Sequence, residues 1–102
     1  MARLNAAPVS IVTLTYVAPL EDVDVQMKAH VAWLENGIDE GVLLIAGRQV
    51  PRVGGVLVFR GKRAEVEALA ATDPFVTSGV ATAEVTEIAA SLAAPEIAQL
   101  LG

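Results

Sequence analysis

Apolar residues recur at helical spacing over residues 22–40, and one polar side chain interrupts the stripe that they form. The apolar positions of this stripe are Val23, Met27, Leu34 and Ile38. At about 100° per residue, His30 projects between two of them and points towards the core. The pattern therefore predicts an amphipathic helix that ends near Gly41 and carries the chain's only histidine on its inner face.

A second helix is predicted over Gly61–Asp73, since Pro74 pushes the residue before it out of the helical region. Its inward positions are Val66, Leu69, Ala70 and, by the same spacing, Asp73. Burying an imidazole without a polar partner costs about 1–3 kcal/mol. We therefore expect His30 and Asp73 to satisfy each other if both helices cover the same sheet.

Four segments predict strands: the first is rich in β-branched residues, the next two are apolar, and the last alternates small or apolar residues with Thr and Glu. They are Val9–Ala18, Val42–Ala46, Gly54–Arg60 and Val80–Ile88. The order β-α-β-β-α-β is the split βαβ, or ferredoxin-like, pattern of an α+β protein. In it, both helices lie on one face of a four-stranded antiparallel sheet.

The ends of the chain are interpreted separately from this domain. Residues 1–8 show no periodicity and are expected to form a loose lead-in, and the domain itself is placed at residues 9–90. Residues 91–102 form a tail in which Pro95 begins a short helix.

Composition bears on the assembly of the protein. The hydrophobic fraction of 54% exceeds the roughly 45–50% of an average globular chain. The predicted strands are apolar on both sides, yet the fold covers only one face of the sheet. A second copy of the chain is the simplest cover for the other face, so a homodimer is expected.

Charge and residue usage exclude several classes of function. A net charge of −5 argues against nucleic acid as a partner. No apolar run approaches the roughly 18–20 residues of a membrane span, so no membrane partner is expected. Without cysteine, and with one histidine, a metal site is not expected, and neither is a cofactor. A cytoplasmic location is the simplest interpretation.

The candidate chemistry centres on His30 and Asp73. A carboxylate that holds one ring nitrogen leaves the other free to act as general base or acid. The alternatives are structural: a buried histidine bonded to a backbone carbonyl, and an Asp-Pro turn former.

Four further residues are candidates for contact with a small-molecule substrate. Arg48 and Arg52, in the loop between the middle strands, could hold an anionic group, although such arginines are often solvated. Tyr16 could offer its phenol to a pocket or simply fill the core. Trp33 lies at the edge of the helical stripe, where packing is the alternative to a role in the pocket wall.

Three segments together resemble a known family. They are Ala29–Leu34, which contains the histidine, Glu40–Gly47, and Ala71–Val80, which contains Asp-Pro-Phe and a later glycine. Over roughly Ile11–Ile88 the chain is similar to the YCII-related (YciI-like) domain. The resemblance implies a ferredoxin-like fold, dimers like those of the dimeric α+β barrel superfamily, and a His–Asp pair in an active site.

The same resemblance assigns roles to residues of this chain. It implies catalytic roles for His30 and Asp73, and it adds Gly47 and Phe75 to the substrate-binding candidates. The family often has Arg where this chain has Met27, and Pro where it has Arg48, so substrate specificity is not carried over.

Three functions compete at this point. The first is a small cofactor-independent enzyme that uses the dyad for elimination, dehydrochlorination or isomerisation of a small anionic substrate, either aromatic or not. The second is a non-catalytic ligand-binding or accessory module. The third is a cofactor-independent oxygenase, which the fold alone suggests.

Overall fold

A computed structural model describes residues 1–101, and Gly102 lies outside the described part. Within residues 1–101 the chain forms four strands and five helices. They are β1 (Ala2–Tyr16), α1 (Leu20–Val25), α2 (Met27–Asp39), β2 (Leu43–Arg48), β3 (Gly54–Arg60), α3 (Arg63–Ala70), α4 (Pro74–Thr77), β4 (Ala81–Ala93) and α5 (Pro95–Leu101).

The strands form one antiparallel sheet in the order β2-β3-β1-β4. This is the ferredoxin-like α+β arrangement expected from the sequence, with the first and third strands at the centre. Because β1 pairs with both β3 and β4, it fixes the register between the two halves of the chain.

Alternate residues of β1 distinguish the two faces of the sheet. Val12 lies opposite Leu57 and Val85, and all three are buried beneath the helices. We call this the covered face. Ile11 lies opposite Val58 and Thr86 on the other side, which we call the open face because the main hydrophobic core of residues 1–101 has no member on it.

The prediction of a loose lead-in was wrong. Strand β1 begins at Ala2, and Ala2–Tyr16 pairs with β4 along most of its length, with a register shift between Arg3 and Ala7. Backbone hydrogen bonds to β4 order this segment, and they do not require side chains of alternating polarity. Strand β4 correspondingly runs to Ala93, into the segment interpreted as tail, and α5 begins at Pro95 as predicted.

The first predicted helix is two helices. α1 ends at Val25 and α2 starts at Met27, with Gln26 between them. Gly41 adopts a positive φ of 78° after α2, a conformation that favours glycine and ends the helix as expected.

One member of the predicted inner stripe does not face the core. Ile38 is 53% exposed. In the last turn of α2 the inward position belongs to Gly37, where an added Cβ would lie 3.1 Å from the Cβ of Leu43. The absence of a side chain at Gly37 lets α2 approach β2 closely, and Ile38 lies on the solvent side of this turn.

The second predicted helix is shorter than expected. α3 ends at Ala70, and Asp73 instead precedes α4, a short helix that the sequence analysis did not predict. Asp73 does face the core, but not for the reason given: it occupies the position before a new helix, with Pro74 as the first helical residue.

Within residues 1–101, no helix combines the length and the apolar character that crossing a membrane requires.

Candidate active site

His30 and Asp73 form a buried pair. Nδ1 of His30 lies 2.7 Å from Oδ1 of Asp73, and the two residues are 7% and 0% exposed. An ionised carboxylate can only accept hydrogen bonds, so Nδ1 carries the hydrogen and donates it. The contact between α2 and the start of α4 therefore fixes which ring nitrogen is protonated in the neutral histidine.

Local sequence explains why Asp73 sits there. Its Oδ1 also accepts a hydrogen bond of 3.0 Å from the backbone N–H of Phe75, which caps the first turn of α4. Pro74 at the first helical position needs no hydrogen-bond partner for its nitrogen. The second carboxylate oxygen, Oδ2, is buried without a hydrogen-bond partner in the described part of the chain.

The imidazole ring is also held from its faces. The ring of Phe75 stacks on it with centroids 3.7 Å apart and planes inclined by 4°. The indole of Trp33 stacks less closely, at 6.3 Å and 21°. The hydrogen bond and the two rings together leave His30 little rotational freedom.

A cavity of about 160 Å³ adjoins this pair. Strands β1, β2 and β3 and helices α2 and α4 supply its walls. The lining residues are Leu14, Tyr16, Met27, His30, Val31, Leu34, Ala46, Gly47, Arg48, Gly55, Leu57 and Phe75. His30 lines the cavity, and its Nε2, on the ring edge away from Asp73, has no hydrogen-bond partner within residues 1–101. The walls are thus largely apolar, with three polar side chains among them.

The structure separates the residues predicted to contact a substrate. Tyr16, Gly47, Arg48 and Phe75 lie in the cavity wall with His30. Trp33 does not. Its Nε1 donates a hydrogen bond of 2.9 Å to the hydroxyl of Thr72.

Arg48 and Arg52 were both candidates for holding an anionic group, and the structure places them differently. Arg48 lines the cavity, and it forms no salt bridge with any residue in 1–101. Arg52 lies outside the wall and donates a hydrogen bond of 2.6 Å from Nη2 to Oδ1 of Asp24. The pKa of Arg52 is raised above its ordinary value, first by its hydrogen bond to Asp24 and then by the phenol of Tyr16.

Apolar lining residues were the part of the site that sequence reasoning missed. Leu14 and Leu57 come from neighbouring positions of β1 and β3, and Ala46 comes from β2. In the sequence they are ordinary strand residues, and nothing distinguishes them from other core positions. Among the described residues, no three His, Cys, Asp or Glu side chains come together as a possible metal site.

Comparison with known families decides the classification. Residues 9–89 match the model of the YCII-related domain, which is most of the chain. The chain belongs to the YCII-related domain family. A search of curated proteins found no match.

A solved structure shares this fold of the YCII-related family. It is the 5-chloro-2-hydroxyhydroquinone dehydrochlorinase of Burkholderia phenoliruptrix AC1100, in complex with 2,5-dihydroxybenzoquinone. The TM-score is 0.64 at 18% sequence identity, and the match covers 76% of this chain and 90% of that chain. At this identity the likeness shows a common fold.

Proposed function

We propose that this protein is a small enzyme in which His30 acts as general base or acid and Asp73 orients it. One observation carries the proposal: Asp73 occupies Nδ1 of His30, while Nε2 has no partner within residues 1–101 and the ring lines a cavity. A neutral imidazole held this way presents an unprotonated nitrogen to a ligand. The adjacent carboxylate stabilises the imidazolium that forms when this nitrogen takes a proton.

Proton abstraction followed by elimination or isomerisation suits this arrangement. In an elimination, Nε2 takes a proton from the substrate and the freed electron pair forms a new double bond. The leaving group, such as chloride, departs with its own electron pair. The protonated His30 then returns the proton to solvent, so atoms and charges balance. In an isomerisation, it returns the proton to another atom of the substrate.

The cavity suggests a small, single-ring anionic substrate. An engineered cavity of about 150 Å³ with apolar walls accepts benzene, and the volume here is about 160 Å³. Arg48 places a positive charge in the wall, where it can pair with a phenolate or carboxylate. The structural neighbour in complex with 2,5-dihydroxybenzoquinone, a compound with a single oxygenated ring, supports a ligand of this size.

A binding module without catalysis is the second candidate, and specific contacts favour it. Oδ1 of Asp73 caps α4, and Phe75 stacks closely on His30, so the pair also has structural partners. In this case the same cavity holds a ligand that His30 binds but does not change.

We further propose that the protein forms a homodimer through the open face of the sheet. Ile45 and Ile88 on this face are 62% and 44% exposed, and Val58 lies between β1 and β2 on the same side. A second copy of the chain would cover these side chains with its own open face. One interface would then remove the apolar surface of both copies from water.

The experiment that separates enzyme from module uses the neighbour's chemistry as a probe. Purified protein is titrated with 2,5-dihydroxybenzoquinone, and chloride release from 5-chloro-2-hydroxyhydroquinone is measured for the wild type and for His30→Gln. Quinone binding and wild-type chloride release that His30→Gln abolishes support the enzyme. The binding module is supported if the quinone binds without chloride release and other single-ring anions also bind without being converted.

Because the chain has one histidine, NMR can follow it directly. A long-range ¹H–¹⁵N spectrum should show the proton on Nδ1 in the neutral form. The Nε2 signal should shift on adding the quinone. A proton on Nε2 in the free protein would contradict the proposed orientation by Asp73.

A further inference from the structure

Arg52 belongs to a cluster that the proposed chemistry does not use. Its guanidinium carbon lies 5.8 Å from the centroid of the Tyr16 ring, within the range of a cation–π contact. Its Nη2 donates to Asp24 of α1, and its Nε is buried without a hydrogen-bond partner in the described residues. One side chain from the loop between β2 and β3 thus joins α1 to the end of β1.

The backbone holds this loop against the same residue. The N–H of Tyr16 donates a hydrogen bond of 3.0 Å to the carbonyl of Val53, next to Arg52. Gln49 N–H donates one of 2.8 Å to the carbonyl of Gly54, which closes the loop. These backbone hydrogen bonds therefore fix the main chain of Arg52 beside Tyr16.

The ion pair alone does not explain this arrangement. The Asp24 side chain is 58% exposed, and such surface pairs contribute little to stability. The Arg52 side chain is only 24% exposed, because it lies over the Tyr16 ring and not in solvent. The role of the ion pair with Asp24 is instead to fix the position of the Arg52 guanidinium.

Tyr16 is consequently held from two sides. Its ring packs edge-on against Phe75, with centroids 5.9 Å apart and planes at 86°, and Phe75 in turn stacks on His30. Arg52 lies on the Tyr16 ring as a second contact. A series of contacts therefore runs from Asp24 through Arg52, Tyr16 and Phe75 to His30, and Tyr16, Phe75 and His30 all line the cavity.

We propose that Arg52, held by Asp24, is a positioning residue that fixes the phenol of Tyr16 as a hydrogen-bonding anchor for an oxygen substituent of the ligand. This inference rests on the proposed function, since it assumes an oxygenated ring in the cavity. Arg48 contacts the ligand's negative charge in this arrangement, while Arg52 acts only through Tyr16. The expected substrates are therefore rings that carry at least two oxygen substituents, one to contact Arg48 and one to contact Tyr16.

The test combines a ligand-free and a ligand-dependent measurement. The chain has one tyrosine, so ring-labelled tyrosine gives one set of NMR signals. Arg52→Gln should broaden or shift those signals, and Asp24→Asn should do so less, at an unchanged melting temperature. Arg63→Gln is the matched control, because it removes the same charge from an exposed pair with Glu67 on α3. If the Tyr16 signals in Arg52→Gln match those of the wild type and of this control, the inference is wrong.

The second measurement is binding of 2,5-dihydroxybenzoquinone, followed by quenching of Trp33 fluorescence. Tyr16→Phe and Arg52→Gln should each weaken binding about 10-fold, and the double variant should be no weaker than Tyr16→Phe alone. Additive losses would show that Arg52 acts independently of Tyr16 and would overturn the inference. If the wild type does not bind the quinone, the proposed substrate class fails, and the Tyr16 signals alone decide whether Arg52 positions the ring.

Discussion

The covered and open faces of the sheet differ in how their side chains are buried. On the covered face, helices bury apolar side chains such as Val12, and the buried polar residues Ser10, His30 and Asp73 each have a hydrogen-bond partner. On the open face, Ile45 is 62% exposed. The chain thus completes one face by its own folding, while the other carries apolar surface that folding alone does not remove from water. The covered face is therefore the place to look for a ligand site, and the open face is the place to look for an interface between subunits.

The largest expected effect concerns chemistry on the covered face. His30→Gln and Asp73→Asn should each lower turnover of a substrate at least about 100-fold, the size of a general acid–base contribution. Each should cost folding only about 1–2 kcal/mol. Rates and thermal melts on the same preparations check this.

Ser10→Ala is the control for this first prediction. It removes a buried hydrogen bond of 2.9 Å to the Gly61 carbonyl on the same face, outside the cavity wall. Its cost should be about 1 kcal/mol, with turnover unchanged. If the His30 and Asp73 variants melt far below the Ser10 variant, the pair is structural.

The same substitution on each face should give different stability losses. Val12→Ala on the covered face should lower the free energy of unfolding by about 2 kcal/mol, through lost burial and a residual cavity. Val58→Ala on the open face should lower the free energy of unfolding by less than about 1 kcal/mol in dilute protein. This loss of stability should grow as the protein concentration rises. Denaturant unfolding at several concentrations measures both. Equal losses that do not depend on concentration would contradict the difference between the faces.

Assembly is tested by a charge on the open face. Ile45→Glu should convert a dimer to a monomer at micromolar concentration, because the carboxylate would be buried unpaired between two sheets. Light scattering gives the mass directly. Val50→Glu in the loop, at a position 95% exposed, should leave the mass unchanged. A monomeric wild type would refute the proposed dimer.

The smallest expected effect concerns the cation in the cavity wall. Arg48→Gln should weaken binding of an anionic ring compound about 10-fold, the equivalent of about 1.4 kcal/mol. Arg60→Gln removes the same charge at the end of β3, on the open face, and should have no effect. Fluorescence titration measures the affinity of both variants for the ring compound. Equally weakened binding would mean that the net charge of the protein, and not Arg48, attracts the ligand.

Sequence reasoning was most successful where a local pattern carries the information. Strand β3 was predicted with its observed bounds, and Gly41 and Pro95 end and begin helices as their backbone preferences require. The inward orientation of His30 follows from helical periodicity. Asp73 was expected to face inwards for the wrong reason, because periodicity was extended past Ala70, where the helix stops.

The family resemblance was confirmed by the match over residues 9–89. The catalytic role of His30 and Asp73 stays a prediction, as do the substrate and the dimer. Their geometry is what the structure adds. The two residues are 43 positions apart in the chain, and their contact requires α2 and α4 to meet over the same sheet.

The sequence by itself determined the order of the four strands and of the two main helical segments between them, and the inward direction of His30, because backbone preferences and side-chain periodicity act between neighbours in the chain. Only the tertiary structure decided that Arg48 reaches the cavity and Arg52 does not, and that Trp33 lies outside its wall. It also ordered the residues at the amino end through pairing with β4. These outcomes depend on strand register and on how closely helices approach the sheet. Both are set by packing between residues far apart in the chain, so no local pattern records them.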